Sequence, residues 1–233
     1  YHAWHPAVAG LAIATMVGGN AIGLAQRNIK RMLAYSSIAH AGFLLVALAA
    51  GTTQATGAVL FYLLAYTLAT IGAFAVIIVM SRPGDRPVMV DDFAGLWSVR
   101  PWLALGTGVL MLSLLGFPIF GGAGFFAKWY VLQAALQAPV PQTMLAVVLV
   151  LTTVVSAGYY LSVVMVMFMK PRPDDAAVPG PIAALTRAVV VVTVLAILVL
   201  GVVPDNFAGF AQAGAIAPPP VNVAGSTPSP VAR

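Results

Sequence analysis

Of the 233 residues, 61% are hydrophobic and 7% charged, whereas a soluble domain carries roughly 25% charged residues to cover its surface. So little charge excludes an ordinary water-soluble globule and makes lipid the solvent for most of the surface. The net charge of +5 does not indicate nucleic acid, because the basic residues are scattered through separate loops instead of gathered with aromatics into a stripe. Cysteine is absent, which removes disulfides, zinc knuckles and thiolate-ligated iron–sulfur clusters. His2, His5 and His40 show no metal-ligand spacing. The chain starts at Tyr1 with no charged n-region or small-residue cleavage site, so its start reads as internal to a longer protein.

A transmembrane helix needs about 20 apolar residues, since the hydrocarbon core is ~30 Å thick and each residue rises ~1.5 Å. Six stretches qualify, at about 6–25, 29–50, 55–80, 101–137, 143–169 and 182–203. They predict an all-α integral membrane fold of six transmembrane helices, with the bundle in residues 1–203. The fourth stretch is too long for one straight helix. From residue 204 to 233 the chain is rich in Pro and Ala, with Pro218, Pro219 and Pro220 in a row, and reads as a flexible tail.

The loops support this count. If the first helix enters from outside, the loops after the first, third and fifth helices face the cytoplasm. Those loops and their helix edges hold Arg27, Lys30, Arg31, Arg82, Arg86, Arg100, Lys170, Arg172 and Arg187, nine of the eleven Lys and Arg. The outer segments hold none until Arg233. One assumption thus satisfies the positive-inside rule at every crossing. It puts the basic loops in the cytoplasm and the C-terminal tail outside. Asp91 and Asp92 fall in an inner loop and read as solvated.

The remaining basic residue, Lys128, lies inside the fourth stretch. Ahead of it come Gly116, Pro118, Gly121, Gly122 and Gly124. Proline removes a backbone donor and clashes with the preceding turn, and glycine permits non-helical dihedrals. The expectation is two half-helices broken near 116–124. Unpaired backbone at membrane depth survives only where protein or a water-filled cavity satisfies it, and broken helices recur at transporter ion sites. Lys128 is about nine residues from the outer end of its half-helix, or ~14 Å at 1.5 Å per residue, which is near the bilayer midplane. A charge there costs ~2.5–3.5 kcal/mol on insertion scales. An amine can lose its proton in such surroundings, whereas a guanidinium cannot. The plainer reading is an amine that snorkels outward or ties up carbonyls freed by the break.

His40 lies about eleven residues into the second helix, ~16 Å from its inner end and again near the midplane. Tyr35, Ser36 and Ser37 precede it and form a short polar stripe. Imidazole can take or give a proton at either nitrogen; a neutral interhelical hydrogen bonder is the alternative. Tyr62, Tyr66 and Thr70 recur at helical spacing on the third helix, and Ser156, Tyr159 and Ser162 do so on the fifth. Most such hydroxyls only join helices. Lys30 opens the second helix, where topology or proton entry explains it.

Several segments carry a family resemblance. Residues 25–45 (AQRNIKRMLAYSSIAHAGFLL), 61–76 (FYLLAYTLATIGAFAV), 100–118 (RPWLALGTGVLMLSLLGFP) and 124–132 (GFFAKWYVL) closely resemble subunit N, or subunit 2, of the respiratory NADH–quinone oxidoreductase (complex I). That subunit is one of the antiporter-like subunits, and the likeness covers about residues 25–203. It implies two inverted five-helix repeats, each with a broken lysine-bearing helix. This chain would be the second repeat plus a terminal helix, in the C-terminal half of the subunit. Lys128 matches the broken-helix lysine, His40 the histidine of the YSSIAHAG-like segment and Lys30 the lysine of the NIKR-like start. The third helix carries no lysine or histidine, which favours subunit N over its sister subunits. Two departures stand out. The link from Pro118 to Lys128 is longer than usual, and the first repeat with its lysine and glutamate is missing; the six acidic residues are all Asp.

The expected function is that of a proton-translocating membrane subunit of NADH–quinone oxidoreductase. Protons would pass through buried Lys128 and His40 and water, with Lys30, Tyr35, Ser36, Tyr62 and Tyr66 as further candidates. The chain itself is expected to hold no cofactor, metal or redox site. NADH, FMN, iron–sulfur clusters and quinone would belong to partner subunits, and a neighbouring antiporter-like subunit would be among the partners, in a bacterial inner (plasma) membrane. The rivals are a subunit of a secondary cation/proton antiporter without redox partners, and a non-conducting membrane scaffold.

Overall fold

The computed structural model describes residues 4–81, 87–118, 122–173 and 182–213. Among them the chain is helical: α1 (His5–Leu24), α2 (Ile29–Ala50), α3 (Thr53–Met80), α4 (Leu96–Val99), α5 (Pro101–Leu115), α6 (Ala123–Leu136), α7 (Thr143–Met169), α8 (Ala184–Val202) and α9 (Pro204–Ala213), with a 3₁₀ turn at Val90–Phe93. Five of these, α1, α2, α3, α7 and α8, are long and apolar enough to cross a membrane. The fourth apolar stretch divides into α5 and α6. Arg82, Arg86, Gly121 and the expected tail from residue 214 onward lie outside the described residues.

Local chemistry sets the boundaries. Asn28 caps α2 by accepting a hydrogen bond from the Arg31 amide at 3.2 Å, and Gly51 ends the helix in the left-handed region at φ 63°. Helix α3 starts two residues earlier than hydropathy suggests, because Thr52 is an N-cap whose hydroxyl accepts from the Ala55 amide at 3.1 Å. Pro101, at the first position of α5, has no amide hydrogen to orphan.

Helix α1 packs along α2 and α7, while α3 lies against α6, α8 and α5. Alanines at 47, 58, 65, 69, 73, 104, 134 and 135 are almost wholly buried in these seams, letting backbones approach as membrane helices require. The outward side chains are also apolar, among them Leu11, Ile78, Val154 and Val192. A helix that is apolar all round suits lipid or a neighbouring subunit.

The loops gather at the two ends of the bundle. At one end Asn28 pairs with Met89 in an isolated bridge, the Ile29 amide donates to Val88 O at 3.0 Å, and the Val90 amide donates to Arg27 O at 2.9 Å. At the other end His5 Nε2 meets Gln142 at 2.9 Å, and Gln54 Nε2 donates to Gln137 at 3.2 Å. The first end collects Arg27, Lys30, Arg31, Arg100, Lys170 and Arg172, so these six basic residues share one end.

Two expectations need correction. Residues 204–213 are helical, where a flexible tail was expected from residue 204. Pro204 and Asp205 suit a first turn, α9 packs on α3, and Asp205 accepts from the Tyr130 hydroxyl at 2.9 Å. Asp92 is also engaged: it accepts from the Met89 amide at 2.7 Å. Phe93 beside it is completely buried, which pins the inner loop to the bundle. Asp91 is exposed but pairs with Lys170 at 2.8 Å, and that hydrogen bond holds its carboxyl below the usual value. A carboxyl lowered by folding adds stability at neutral pH that disappears as pH falls through its folded value. Both partners are more than half exposed, so solvent screening limits the pair to under about 1 kcal/mol. Lys170→Ala should lower the thermal midpoint of the assembled protein slightly at pH 7 and not at all well below the carboxylate range, as differential scanning at the two pH values would show.

Candidate functional site

The site forms where α5 stops. The last four carbonyls of a helix have no partner within it, and here they are those of Leu112, Ser113, Leu114 and Leu115. Gly116 adopts φ 85°, ψ 38°, a left-handed conformation that costs glycine nothing. Its amide donates to Ser113 O at 2.9 Å, and the Phe117 amide donates to Leu112 O at 2.9 Å. This is a Schellman termination, and it leaves Leu114 and Leu115 over.

Lys128 takes both. Its Nζ donates to Leu115 O at 2.7 Å and lies 3.4 Å from Leu114 O. The side chain reaches back from α6, is 7% exposed, and holds its amine 5.0 Å from the centroid of the Phe43 ring. Two carbonyls, the negative end of the α5 dipole and a ring face all favour the cation; removal from water opposes it. Among the described residues no carboxylate neutralises this amine, so its charge rests on the carbonyls, the α5 dipole and the Phe43 ring.

The same turn explains Gly124. A Cβ there would collide with the Ser113 carbonyl, so only glycine lets the first turn of α6 lie against the last turn of α5. Gly122 precedes α6, and Pro118 follows the Schellman turn. The long link between Pro118 and Lys128 therefore still returns the lysine to the end of α5.

Opposite Lys128, three helices assemble a buried polar cluster around His40, which is 4% exposed. Its Nδ1 meets the Tyr62 hydroxyl of α3 at 2.6 Å, and its Nε2 meets the Tyr160 hydroxyl of α7 at 3.2 Å. Tyr160 is also hydrogen-bonded to Ser36, one turn before His40. Tyr66 stacks on the imidazole with centroids 4.5 Å apart and planes inclined by 29°. A second pair adjoins the cluster: Tyr159 donates to Asn20 of α1 at 2.9 Å, and its ring lies 4.5 Å from that of Tyr160. Because every ring nitrogen of His40 has a hydroxyl partner, either tautomer is satisfied, and a proton arriving at one nitrogen can leave from the other.

A cavity of about 10 Å³ separates the cluster from the amine and is lined by His40, Tyr62, Tyr66, Ser113, Gly124 and Lys128 among others. That is about what one water needs.

Of the residues singled out from sequence, Lys128, His40, Ser36, Tyr62, Tyr66, Gly116 and Gly124 meet here. Lys30 is exposed and Tyr35 half-buried against α1; neither reaches the cavity. Ser156 and Ser162 turn back onto their own helix, donating to Thr153 O and Tyr159 O. Sequence reading missed Tyr160, Asn20, Ser113 and Phe43. The Tyr159–Tyr160 doublet inside an apolar helix was the available signal, since adjacent residues face different neighbours. Among the described residues no group of three His, Asp or Glu is placed to hold a metal.

The arrangement has relatives. Residues 1–156 match the family described as NADH:quinone oxidoreductase/Mrp antiporter, TM. NADH-quinone oxidoreductase subunit N of Gemmatimonas aurantiaca is 54% identical over 201 residues, covering 86% of this chain and 38% of the relative. Subunit N of Salinibacter ruber is 44% identical over 231 residues, covering 93% and 45%. Among solved structures, a chain of respiratory complex I from Thermus thermophilus with bound aureothin superposes with a TM-score of 0.75 at 38% identity, covering 88% of this chain and 45% of that one. A chain of the membrane-bound sulfane sulfur reductase, an archaeal respiratory membrane complex, gives a TM-score of 0.77 at 26% identity, with 91% and 42% covered. The chain spans about two fifths of the length of the curated relatives it matches. With the family model matching two thirds of it and these relatives beside it, the chain belongs to the NADH:quinone oxidoreductase/Mrp antiporter transmembrane family, whose members similar to it carry the name NADH-quinone oxidoreductase subunit N.

Proposed function

We propose that this chain is the proton-conducting C-terminal part of a subunit N and works inside a complex I. In this reading α5 and α6 together make one broken crossing, the fourth of six, and α1–α6 with α7 form the second inverted repeat, followed by α8. The basic end faces the cytoplasm of a bacterium and α9 the outside. NADH, FMN, iron–sulfur clusters and quinone are handled by partner subunits, and a neighbouring antiporter-like subunit continues the path. Lys128 takes up and releases a proton, and the His40 cluster passes it on. The observation that carries this is the buried amine bonded, among the described residues, to backbone carbonyls alone, across a small cavity from a doubly hydrogen-bonded histidine. Such an amine changes charge without stranding a carboxylate partner, and its neighbours accept either state.

Two other readings remain distinguishable. A cation/proton antiporter without redox partners is favoured only by the breadth of the family, which includes Mrp antiporters. A scaffold is favoured by the way Lys128 completes the α5 cap. The His40 cluster separates a path from a scaffold. Positioned proton-transfer groups contribute roughly 10²–10⁴-fold, so His40→Leu in the complete complex should cut NADH-driven proton uptake into inverted vesicles by at least about tenfold. Undiminished uptake with normal assembly would refute the path through His40. Tyr62→Phe keeps the packing and deletes one partner of His40; a smaller loss, several-fold, is expected in the same assay.

A further inference from the structure

Serines and threonines buried in apolar helices usually donate to a carbonyl three or four residues earlier. Here Thr107, Thr152, Ser156 and Thr193 do so, at 2.7, 2.7, 2.6 and 2.8 Å. Ser113 does not. It is 2% exposed, and its Oγ makes no hydrogen bond among the described residues. A buried hydroxyl without a partner is costly, so one calls for a reason. Thr70 and Thr153 share this state, but of the three only Ser113 lines the cavity between Lys128 and the His40 cluster.

The cavity is just large enough, and polar side chains reach an otherwise largely apolar wall. At about 10 Å³ it suits a single water, which needs two to four polar partners. Ser113, Lys128, Tyr62 and Tyr66 border it. The Ser113 carbonyl is taken by the Gly116 amide, which leaves the hydroxyl as the group this residue can offer.

We propose that Ser113 holds one water in this cavity and thereby acts as a positioning residue for proton exchange between Lys128 and the His40 cluster. The inference rests on the proton-path reading. In the transfer, an N–H bond of the Lys128 ammonium breaks as an O–H bond forms on the water. The water passes a different proton to the Tyr62 hydroxyl, and Tyr62 delivers its own to His40 Nδ1. Lys128 ends as a neutral amine, His40 as the imidazolium, and water and tyrosine are regenerated. Transfer in the other direction retraces the same bonds. Ser113 contributes no proton; it fixes the water against the two ends of the relay.

The test uses the complete respiratory complex carrying Ser113→Ala, Ser113→Thr or Lys128→Met. In a cryo-EM map of the wild-type complex near 2 Å resolution, density for one water is expected within hydrogen-bond reach of both Ser113 Oγ and Lys128 Nζ. Ser113→Ala should lose that density, keep the Lys128–Leu115 bond and lower NADH-driven pumping about tenfold; Ser113→Thr, which retains the hydroxyl, should restore both density and rate. An empty cavity in the wild-type map overturns the proposal, whether or not the variants assemble. So does Ser113→Ala pumping at the wild-type rate while Lys128→Met does not pump, a result that leaves the path itself standing. If Lys128→Met pumps normally, the proton-path reading fails and this inference with it.

Discussion

Lys128→Met should abolish proton pumping driven through this subunit, a loss of two orders of magnitude or more in inverted membrane vesicles, given what positioned proton-transfer groups contribute. Methionine matches the stem of lysine but has no donor. It therefore also leaves Leu114 O and Leu115 O unsatisfied, at about 1–3 kcal/mol for each buried group, and some loss of assembled complex should accompany the loss of pumping. On its own that variant cannot tell a carrier from a cap. Lys128→Arg can. The guanidinium keeps a permanent charge and five donors, enough to serve the carbonyls, yet it does not release a proton in proteins. Assembly should recover with Lys128→Arg, as judged by the amount of complex on a native gel, while pumping stays near the methionine level. If arginine restores both, Lys128 is structural and the scaffold reading prevails.

Gly124→Ala should do comparable damage by a different route. The added Cβ would overlap the carbonyl of Ser113, and neither atom belongs to a side chain that can rotate away. The last turn of α5 and the first of α6 must then separate, which pulls Lys128 from the carbonyls it caps. Overpacking typically costs about 1–3 kcal/mol and occasionally more; two backbone segments in direct conflict belong at the upper end. Gly108→Ala is the control. Its Cβ would meet the Phe168 ring at 3.5 Å, an ordinary contact, so its effect should be near zero. Thermal midpoints of the two purified variants decide the matter. Equal midpoints would mean that α5 and α6 do not meet as closely as described.

Much of the fold could be read from the chain because lipid imposes a simple rule. A helix must satisfy its own backbone and present apolar side chains for about 20 residues, so hydropathy located α2 and α7 to the residue and the other long helices to within two. The end of α5 before Gly116 was legible for a similar reason: proline and glycine act on their own backbone, whatever surrounds them. The α9 helix was not, since a ten-residue amphipathic segment rich in Ala looks like a tail until the α3 surface that receives it is known.

The candidate site divides along the same line. Lys128, His40, Tyr62 and Tyr66 stood out because polar groups are costly in hydrocarbon, a cost that is visible in sequence alone. Their partners were hidden. Tyr160 and Ser113 resemble any helical hydroxyl-bearing residue, and what distinguishes them is the neighbour they face: His40 and Ser36 for one, a cavity for the other. Lys30 shows the converse, a suggestive residue that the fold leaves in the open. Sequence by itself therefore determined which polar groups fall inside apolar helices and where the helix must stop. The tertiary structure alone decided that the lysine after the break returns to cap the helix before it, since that contact depends on two backbones meeting at Gly124, and no local pattern encodes the distance between helices.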